Sequence, residues 1–218
     1  MQFMTMRCDA LLFDLDGVLV DSAECVRRIC TDWAIARGLD PEHVLRWSQG
    51  RRVQETVRAV APHLDPDAEV AALVGMEANT TFGLHHVPGA RALLQSLPTD
   101  SWAVVTSGAR PVARLRLSHV GLPIPETLIT GDDVSRGKPD PEGYLAAASA
   151  LGRSPADCIV IEDAPAGIGA ARAAGMRSIG IIGTVTPAEL AGADVIVDSL
   201  GSIRVTVSGA SPRLALAC

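Results

Sequence analysis

The amino-acid sequence predicts an α/β protein: a three-layer core on a parallel sheet, with an all-helical segment inserted early in the chain. Three observations carry this prediction. Short apolar runs recur along the chain and read as continuous rather than alternating, the pattern of strands buried on both faces. Helical periodicities fill the gaps between them, which implies parallel strands joined by crossover helices. Between about residues 20 and 87 the rhythm stops, and only helical stripes are legible there.

The first apolar run is Ala10–Phe13. Val26, Ile29, Cys30 and Trp33 then stand at the i, i+3, i+4, i+7 spacing of one amphipathic helix face. A second helical stretch covers 52–61, and a third covers 66–81, entered through Asp65. No convincing strand is found over 20–87. The strand–helix alternation resumes after Pro88-Gly89, so the chain is predicted to divide in two. Residues 1–19 and 88–218 form a discontinuous core and residues 20–87 a helical cap, with hinges near Leu19 and 87–89. Further strands are expected at Trp102–Val105, Leu128–Ile129, 158–161, 179–182 and Val195–Val197. Tyr144, Leu145, Ala148 and Leu151 share one helix face, with Pro141 in that helix's first turn. Residues 165–174 are mostly Ala and Gly and stop at Gly175, a helix slim enough to lie close on a sheet. The layout is that of a Rossmann-like core. No repeat or low-complexity tract interrupts it, and residues 202–218 carry no motif and are expected to be partly loose.

Composition narrows the function. Hydrophobic residues make up 48% of the chain and aromatics only 3%, so the core is aliphatic and no stacking platform for nucleobases is evident. Nineteen basic against 25 acidic residues give a net charge of −6, which argues against binding to a nucleic-acid backbone. The apolar runs fall short of a membrane span and no signal peptide is legible. Five scattered cysteines, Cys8, Cys25, Cys30, Cys158 and Cys218, form no C-x-x-C pair, so neither a disulfide framework nor a zinc site is expected. The expectation is a cytoplasmic protein with reduced thiols, monomeric or a small homo-oligomer, and without nucleic-acid or membrane partners.

The chemistry lies in the residues just past each strand. The first strand runs into Asp14-Leu15-Asp16-Gly17, and the second into Thr106-Ser107-Gly108. The third leads to Asp132-Asp133 and then Gly137-Lys138-Pro139, and the fourth ends in Glu162-Asp163. In an open parallel sheet the carboxyl ends of the strands share one edge, where ligands bind. Several carboxylates gathered there repel one another unless a cation neutralises them. With oxygen ligands and no His or Cys nearby, that cation is a hard divalent ion, Mg²⁺ where phosphate is handled. Lys138 supplies a point charge for phosphate oxygens, and the Ser107 region supplies hydroxyl and amide donors. There is no P-loop, which places the phosphate on the substrate rather than on a nucleotide. An aspartate can itself attack phosphorus to give an aspartyl phosphate. Each element has an ordinary alternative: D-x-D as a turn, Thr-Ser-Gly as a helix start, Lys138 as a solvated loop residue. Their order on successive strands is what selects the functional reading.

Residues 13–22 (Phe-Asp-Leu-Asp-Gly-Val-Leu-Val-Asp-Ser) resemble the first motif of the haloacid dehalogenase superfamily. Residues 105–108 resemble its second motif, 137–141 its third and 161–167 its fourth, in the right order over nearly the whole chain. Within the superfamily the chain is most similar to the small-helical-cap sugar- and polyol-phosphate phosphatases, the group that includes 2-deoxyglucose-6-phosphate and glycerol-3-phosphate phosphatases and β-phosphoglucomutase. The resemblance implies a role for each matching position. Asp14 is the nucleophile and a Mg²⁺ ligand. Asp16 protonates the leaving alcohol, then serves as base for the hydrolytic water, and lends its main-chain carbonyl to the metal. Asp163 completes the protein ligands, with Glu162 either a ligand or an acceptor beside it. Thr106, Ser107 and Gly108 hold the phosphoryl group, and Lys138 bridges it and Asp14.

The implied activity is Mg²⁺-dependent hydrolysis of a small phosphorylated metabolite, a sugar or polyol phosphate. A phosphomutase of the β-phosphoglucomutase type is the alternative. That family carries a His in the first cap helix and a Lys and an Arg around the cap's Gly loop, where this chain has Val26, Gln49 and Val53. A non-catalytic phosphoacceptor module is a third reading, for which Asp16 and a cap would serve no purpose. Dehalogenation is set aside because it needs no acid two residues after the nucleophile. Around the crevice, Asp21 is a candidate for a substrate hydroxyl or for capping the helix that starts near Ser22. Gln49, Gly50, Arg51 and Arg52 are candidates for substrate contact, with a solvated basic loop as the alternative. Asp132 and Asp133 are assigned either to the metal's outer sphere or to the loop. His85 and His86 adjoin the hinge, and His43, His63 and His119 read as surface residues.

Overall fold

The computed structural model describes residues 5–183, 185–208 and 213–217. In chain order the first strands are β1 (Thr5–Cys8), β2 (Ala10–Phe13) and β3 (Val20–Asp21). Four helices come next: α1 (Ala23–Ala36), α2 (Pro41–Ser48), α3 (Val53–Val60) and α4 (Pro66–Ala78). Then come β4 (His85–His86), α5 (Ala90–Gln95), β5 (Trp102–Val105), α6 (Arg110–His119), β6 (Leu128–Ile129) and α7 (Glu142–Ala150). The chain continues through β7 (Cys158–Glu162), α8 (Pro165–Ala173), β8 (Arg177–Ile181), β9 (Val195–Val197), β10 (Arg204–Ser208) and β11 (Arg213–Ala217).

Six strands form one sheet in the order β6-β5-β2-β7-β8-β9, and every pair in it is parallel. The predicted α/β class and Rossmann-like layering are therefore correct. All residues of β2, β5 and β7 are buried, which explains why their sequences run apolar without alternation. Alternate residues still face opposite ways. Leu11, Phe13, Val104, Ile159 and Ile161 pack with Leu93, Leu94 and Leu117 of α5 and α6 on one face. Ala10, Leu12, Ala103, Val105 and Val160 pack with Tyr144, Ala147, Ala148, Ala170 and Ala171 of α7 and α8 on the other. The predicted face of α7 needs one correction. Leu145 is exposed and Ala147 is buried in its place, because Tyr144, Ala147, Ala148 and Leu151 stand at the i, i+3, i+4, i+7 spacing of one helix face.

The first face continues through Leu15, Val18, Leu19 and Val20 into Ile29, Trp33, Val44, Val57 and Leu73, so helices α1–α4 share an apolar cluster with the sheet. The sequence shows three helical stretches over 20–87, and the structure has four helices. α2 buries only Val44, which leaves no periodic stripe to read. Its entry is nonetheless legible: Asp40 precedes Pro41 and accepts from the Glu42 amide at 3.0 Å, as Asp65 does ahead of Pro66 for the amides of Asp67 and Ala68. The segment also contains a ribbon the sequence does not reveal. β3 and β4 pair antiparallel, Val20 opposite His86 and Asp21 opposite His85, and strands of two residues carry no periodicity. The ribbon joins the two predicted hinge positions, with the Val87 amide donating to the Leu19 carbonyl at 2.9 Å.

The C-terminal stretch is likewise corrected. β10 and β11 pair with each other, and β11 pairs with β1, in a separate antiparallel sheet. β1 does alternate as such an edge requires, burying Met6 and Cys8 and exposing Thr5 and Arg7. Residues 209–212 and Cys218 lie outside the described residues. Cys8, Cys25, Cys30 and Cys158 are buried and unpaired. No helix among the described residues is long and apolar enough to cross a membrane.

Candidate functional site

Parallel pairing brings the ends of β2, β5, β6 and β7 to one edge, and the residues beyond them meet there. The Asp14 amide still donates to the Ile161 carbonyl of β7 at 2.9 Å, so the strand ladder fixes the first carboxylate. The Thr106 amide donates to the Ile129 carbonyl at 2.9 Å, and the Gly108 amide donates to Thr106 Oγ1 at 3.0 Å. Lys138, between β6 and α7, extends its buried ammonium across the sheet. Its Nζ donates to Asp14 Oδ1, to Glu162 Oε1 at 2.6 Å and to the Val105 carbonyl at 3.2 Å. One oxygen each from Asp14, Glu162 and Asp163 lie within 4.8 Å of one another. Asp14, Lys138, Glu162 and Asp163, far apart in sequence, thus form one buried cluster.

Two glycines make room for it. Gly17 has φ +82°, and a Cβ there would stand 1.9 Å from Asp163 Oδ2. A Cβ on Gly167 of α8 would stand 1.6 Å from Glu162 Oε1. The slim helix expected over 165–174 is therefore slim where it crosses the acid.

Glu162 is saturated. Oε1 accepts from Lys138 and from the Tyr144 hydroxyl at 2.9 Å, and Oε2 accepts from the amides of Asp163 and Ala164 at 3.0 and 3.1 Å. The sequence marks Tyr144 only as core, yet its ring also lies 5.2 Å from the Lys138 ammonium. Glu162 is thereby occupied in fixing Lys138 and the start of α8, although its distance alone places it in the acidic trio.

The remaining carboxylates are under-neutralised: three acids share one ammonium. Burial pushes the Asp14 carboxyl up to about 7 against the pull of Lys138, with Glu162 and Asp16 adding to the rise. Burial also pushes Asp163 up to about 8, reinforced by Glu162 and Asp14. Burial would lower the Lys138 ammonium, but Asp14 and then Glu162 hold it well above its usual range. A buried, oxygen-only set with excess negative charge fits a hard divalent cation. Linkage sets the sign of the consequence. Both carboxyls titrate above the ordinary 3.8, so the folded, metal-free protein binds these protons more tightly than the unfolded chain. That stability is complete below about pH 4 and lost as pH rises through about 7 and 8. In EDTA the melting temperature is expected to fall as the pH is raised from about 5 to about 8.5. Saturating Mg²⁺ is expected to restore roughly 5–10 °C at the upper pH and less at the lower. Thermal melts at both pH values check this, and equal Mg²⁺ effects at the two would count against a cation on these acids.

Asp16 stands apart from the trio and is 30% exposed. Its Oδ1 accepts from Ser22 Oγ at 2.6 Å and from Arg116 Nη1 at 2.7 Å. Arg116, buried on α6, also reaches Glu77 Oε1 of α4 at 3.3 Å. Neither Arg116 nor Glu77 stands in a motif that the sequence singles out.

The helical segment meets the sheet edge at further points. Ser107 Oγ donates to the Gly50 carbonyl at 2.9 Å. Arg52 is buried, pairs with Glu55, and donates to the carbonyls of Val134 at 2.7 Å and Ser135 at 2.9 Å. The Gly137 amide in turn donates to Glu55 Oε1 at 3.1 Å, which clamps the loop that carries Lys138. Arg52, Thr106, Ser107 and Lys138 line one small pocket. Arg51 is exposed over the Trp47 ring at 4.7 Å, and Gln49 is exposed at the end of α2. Asp21 Oδ1 accepts from the Ala23 amide at 3.3 Å, the capping alternative, and its side chain is exposed. Asp132 and Asp133 take the loop alternative. Asp132 Oδ2 accepts from the Arg110 amide at 2.8 Å, and Asp133 Oδ2 accepts from Arg110 and from Thr130 Oγ1 at 2.7 Å. His85 and His86 are exposed on β4.

Residues 8–175, more than three quarters of the chain, match the family described as haloacid dehalogenase-like hydrolase. The chain belongs to that family. Haloacid dehalogenase-like relatives align over almost its full length. Hexitol phosphatase A of Escherichia coli is 43% identical over 206 residues, covering 92% of this chain and 95% of its own. Glycerol-1-phosphate phosphohydrolase 1 of Saccharomyces cerevisiae is 36% identical over 217 residues, covering 93% of this chain and 86% of its own. The fold is shared with β-phosphoglucomutase from Clostridium difficile, at a TM-score of 0.76 over 90% of this chain and 93% of that one, with 24% identity. The superfamily resemblance read from the four motifs is therefore correct, and the chain is a haloacid dehalogenase-like hydrolase.

Proposed function

We propose that this protein is a Mg²⁺-dependent phosphatase of a small sugar or polyol phosphate that works through an aspartyl phosphate on Asp14. The observation that carries the proposal is the buried Lys138 ammonium joining Asp14 to Glu162 beside Asp163, at the edge where Thr106 and Ser107 also end their strand. The named activities of the hexitol and glycerol-1-phosphate relatives support the substrate class.

In the first step Asp14 attacks phosphorus and the bond from phosphorus to the alcohol oxygen breaks, with the Asp16 proton passing to the leaving oxygen. The ionised Asp16 then takes a proton from water as that water attacks phosphorus, and the bond from phosphorus to Asp14 breaks to release inorganic phosphate. Lys138 balances charge on the phosphoryl oxygens and on Asp14 throughout, and Thr106, Ser107 and Gly108 donate to the same oxygens once the substrate displaces the Ser107–Gly50 and Gly108–Thr106 hydrogen bonds. Asp14, Asp163 and the main-chain carbonyl of Asp16 would hold Mg²⁺, which neutralises the carboxylates and polarises the phosphoryl group. Glu162 serves by holding Lys138.

We assign residues 20–87 as a cap over a core of residues 1–19 and 88–218. Its contacts through Gly50 with Ser107, through Arg52 and Glu55 with the loop that carries Lys138, and through Glu77 with Arg116 support this. A lid of this kind excludes water and bulky partners, which favours metabolites as substrates. The mutase alternative loses ground. Val26, Gln49 and Val53 offer no cation for a second phosphate, Arg52 is spent on Val134 and Ser135, and Arg51 lies on Trp47.

Phosphate release from a panel of sugar and polyol phosphates, with Mg²⁺ and with EDTA, tests the reading. Release is expected with Mg²⁺ and lost in EDTA. Conversion of glucose 1-phosphate to the 6-phosphate without free phosphate would instead establish the mutase, and an inert panel would favour a binding module.

A further inference from the structure

Nothing in the phosphate chemistry accounts for Arg116. Its side chain is 4% exposed, and its fork faces two carboxylates from different parts of the chain, Asp16 through Nη1 and Glu77 through Nη2. A buried pair of this kind adds little net stability, because desolvation offsets most of the attraction. Ser22 adds to the anomaly. It occupies the N-cap position of α1, where a serine ordinarily bonds to helix amides, yet its hydroxyl donates to Asp16. Both donors fall on the same oxygen, Oδ1, while Oδ2 has no hydrogen-bond partner among the described residues.

We propose that Arg116 is a positioning residue for Asp16. With Ser22 it pins one carboxyl oxygen and leaves the other to carry the proton, and Glu77 makes that pose depend on how α4 is seated. The inference rests on the assignment of Asp16 as the acid–base group. The asymmetry is what the chemistry needs: as the bond from phosphorus to the alcohol oxygen breaks, the proton on the unpinned oxygen moves to the leaving oxygen. A rotating carboxyl would spend most of its time in unproductive poses. The planar guanidinium spans both acids at once, whereas a lysine ammonium is a single point charge on a shorter reach. Because Glu77 lies on α4 and Arg116 on α6, the seating of α4 bears on the acid through the guanidinium, while Ser22 and Arg116 themselves hold it.

The test exploits leaving groups. The alkyl phosphate turned over fastest in the panel needs a proton on its departing oxygen, and p-nitrophenyl phosphate does not. kcat/KM, which reports the phosphoryl-transfer step, is measured for both with Mg²⁺ on the native protein, Arg116→Lys, Glu77→Gln and Asp16→Asn. Arg116→Lys is expected to lose about 10–100-fold on the alkyl phosphate but less than about threefold on the nitrophenyl ester. Glu77→Gln, similar in size and shape, is expected to lose about three- to tenfold with the same selectivity, and it decides the matter if Arg116→Lys does not fold. Equal losses on both substrates, or none, would overturn the positioning role while Asp16→Asn still discriminates. If Asp16→Asn itself fails to discriminate, the acid–base assignment falls instead.

Discussion

Asp14→Asn is expected to abolish turnover, lowering kcat on the order of 10⁴-fold or more, the scale on which deletion of a covalent nucleophile acts. The amide is nearly isosteric with the carboxylate but cannot form an acyl phosphate. The fold should survive, because the change removes one negative charge from a buried set of three acids around one ammonium, and Lys138 keeps Glu162. A melting temperature within a few degrees of the native value, roughly the effect of 1 kcal/mol in a protein of this size, therefore separates chemical from structural loss. Acid-quenched peptide mapping should find a phosphoryl group on the Asp14 peptide of the native protein and none on the variant. Residual Mg²⁺-dependent hydrolysis above about 1% would place the nucleophile elsewhere.

Lys138→Met is expected to damage both activity and stability, for separable reasons. Losing the charge beside the transferring phosphoryl group should lower kcat by about 10²–10³-fold. Losing the cation between Asp14 and Glu162 strands buried carboxylates, a cost of about 3–5 kcal/mol, or a fall of roughly 10 °C in melting temperature. That fall should shrink toward acid pH, where Asp14 and Asp163, held above the ordinary carboxyl range by burial, take up protons and need no cation. The double variant Lys138→Met/Glu162→Gln should recover part of the stability and none of the activity. If it recovers activity as well, Lys138 is only a structural counter-ion.

The motif residues at the strand ends are legible because parallel pairing is a strong constraint. Once Ala10–Phe13, Trp102–Val105 and 158–161 are read as neighbouring buried strands, Asp14, Thr106 and Asp163 must share an edge. Tyr144 shows where that logic stops: its apolar spacing marks it as core, and nothing in the spacing reveals that its hydroxyl reaches Glu162. Arg52 shows the reverse. Its charge and its place in a cap loop suggest substrate, but burial against Val134 and Ser135 commits its donors to the core. The antiparallel sheet of β1, β10 and β11 and the ribbon of β3 and β4 also escape a reading of the sequence. β1 with β11 and β3 with β4 pair across long stretches of chain, which local periodicity does not record, while β10 and β11 pair as sequence neighbours.

By itself the sequence determined the layered α/β class, the run of helices that follows the first strand and the acids, lysine and hydroxyls that end the strands, because burial pattern and turn chemistry are local properties. Only the tertiary structure decided which oxygen faces which donor: that Glu162 is filled by Lys138, Tyr144 and two amides, and that Asp16 is tied through Arg116 to Glu77. Such pairings depend on side-chain reach between different elements, up to a hundred residues apart for Asp16 and Arg116, and there distance in space is set by packing rather than by order along the chain.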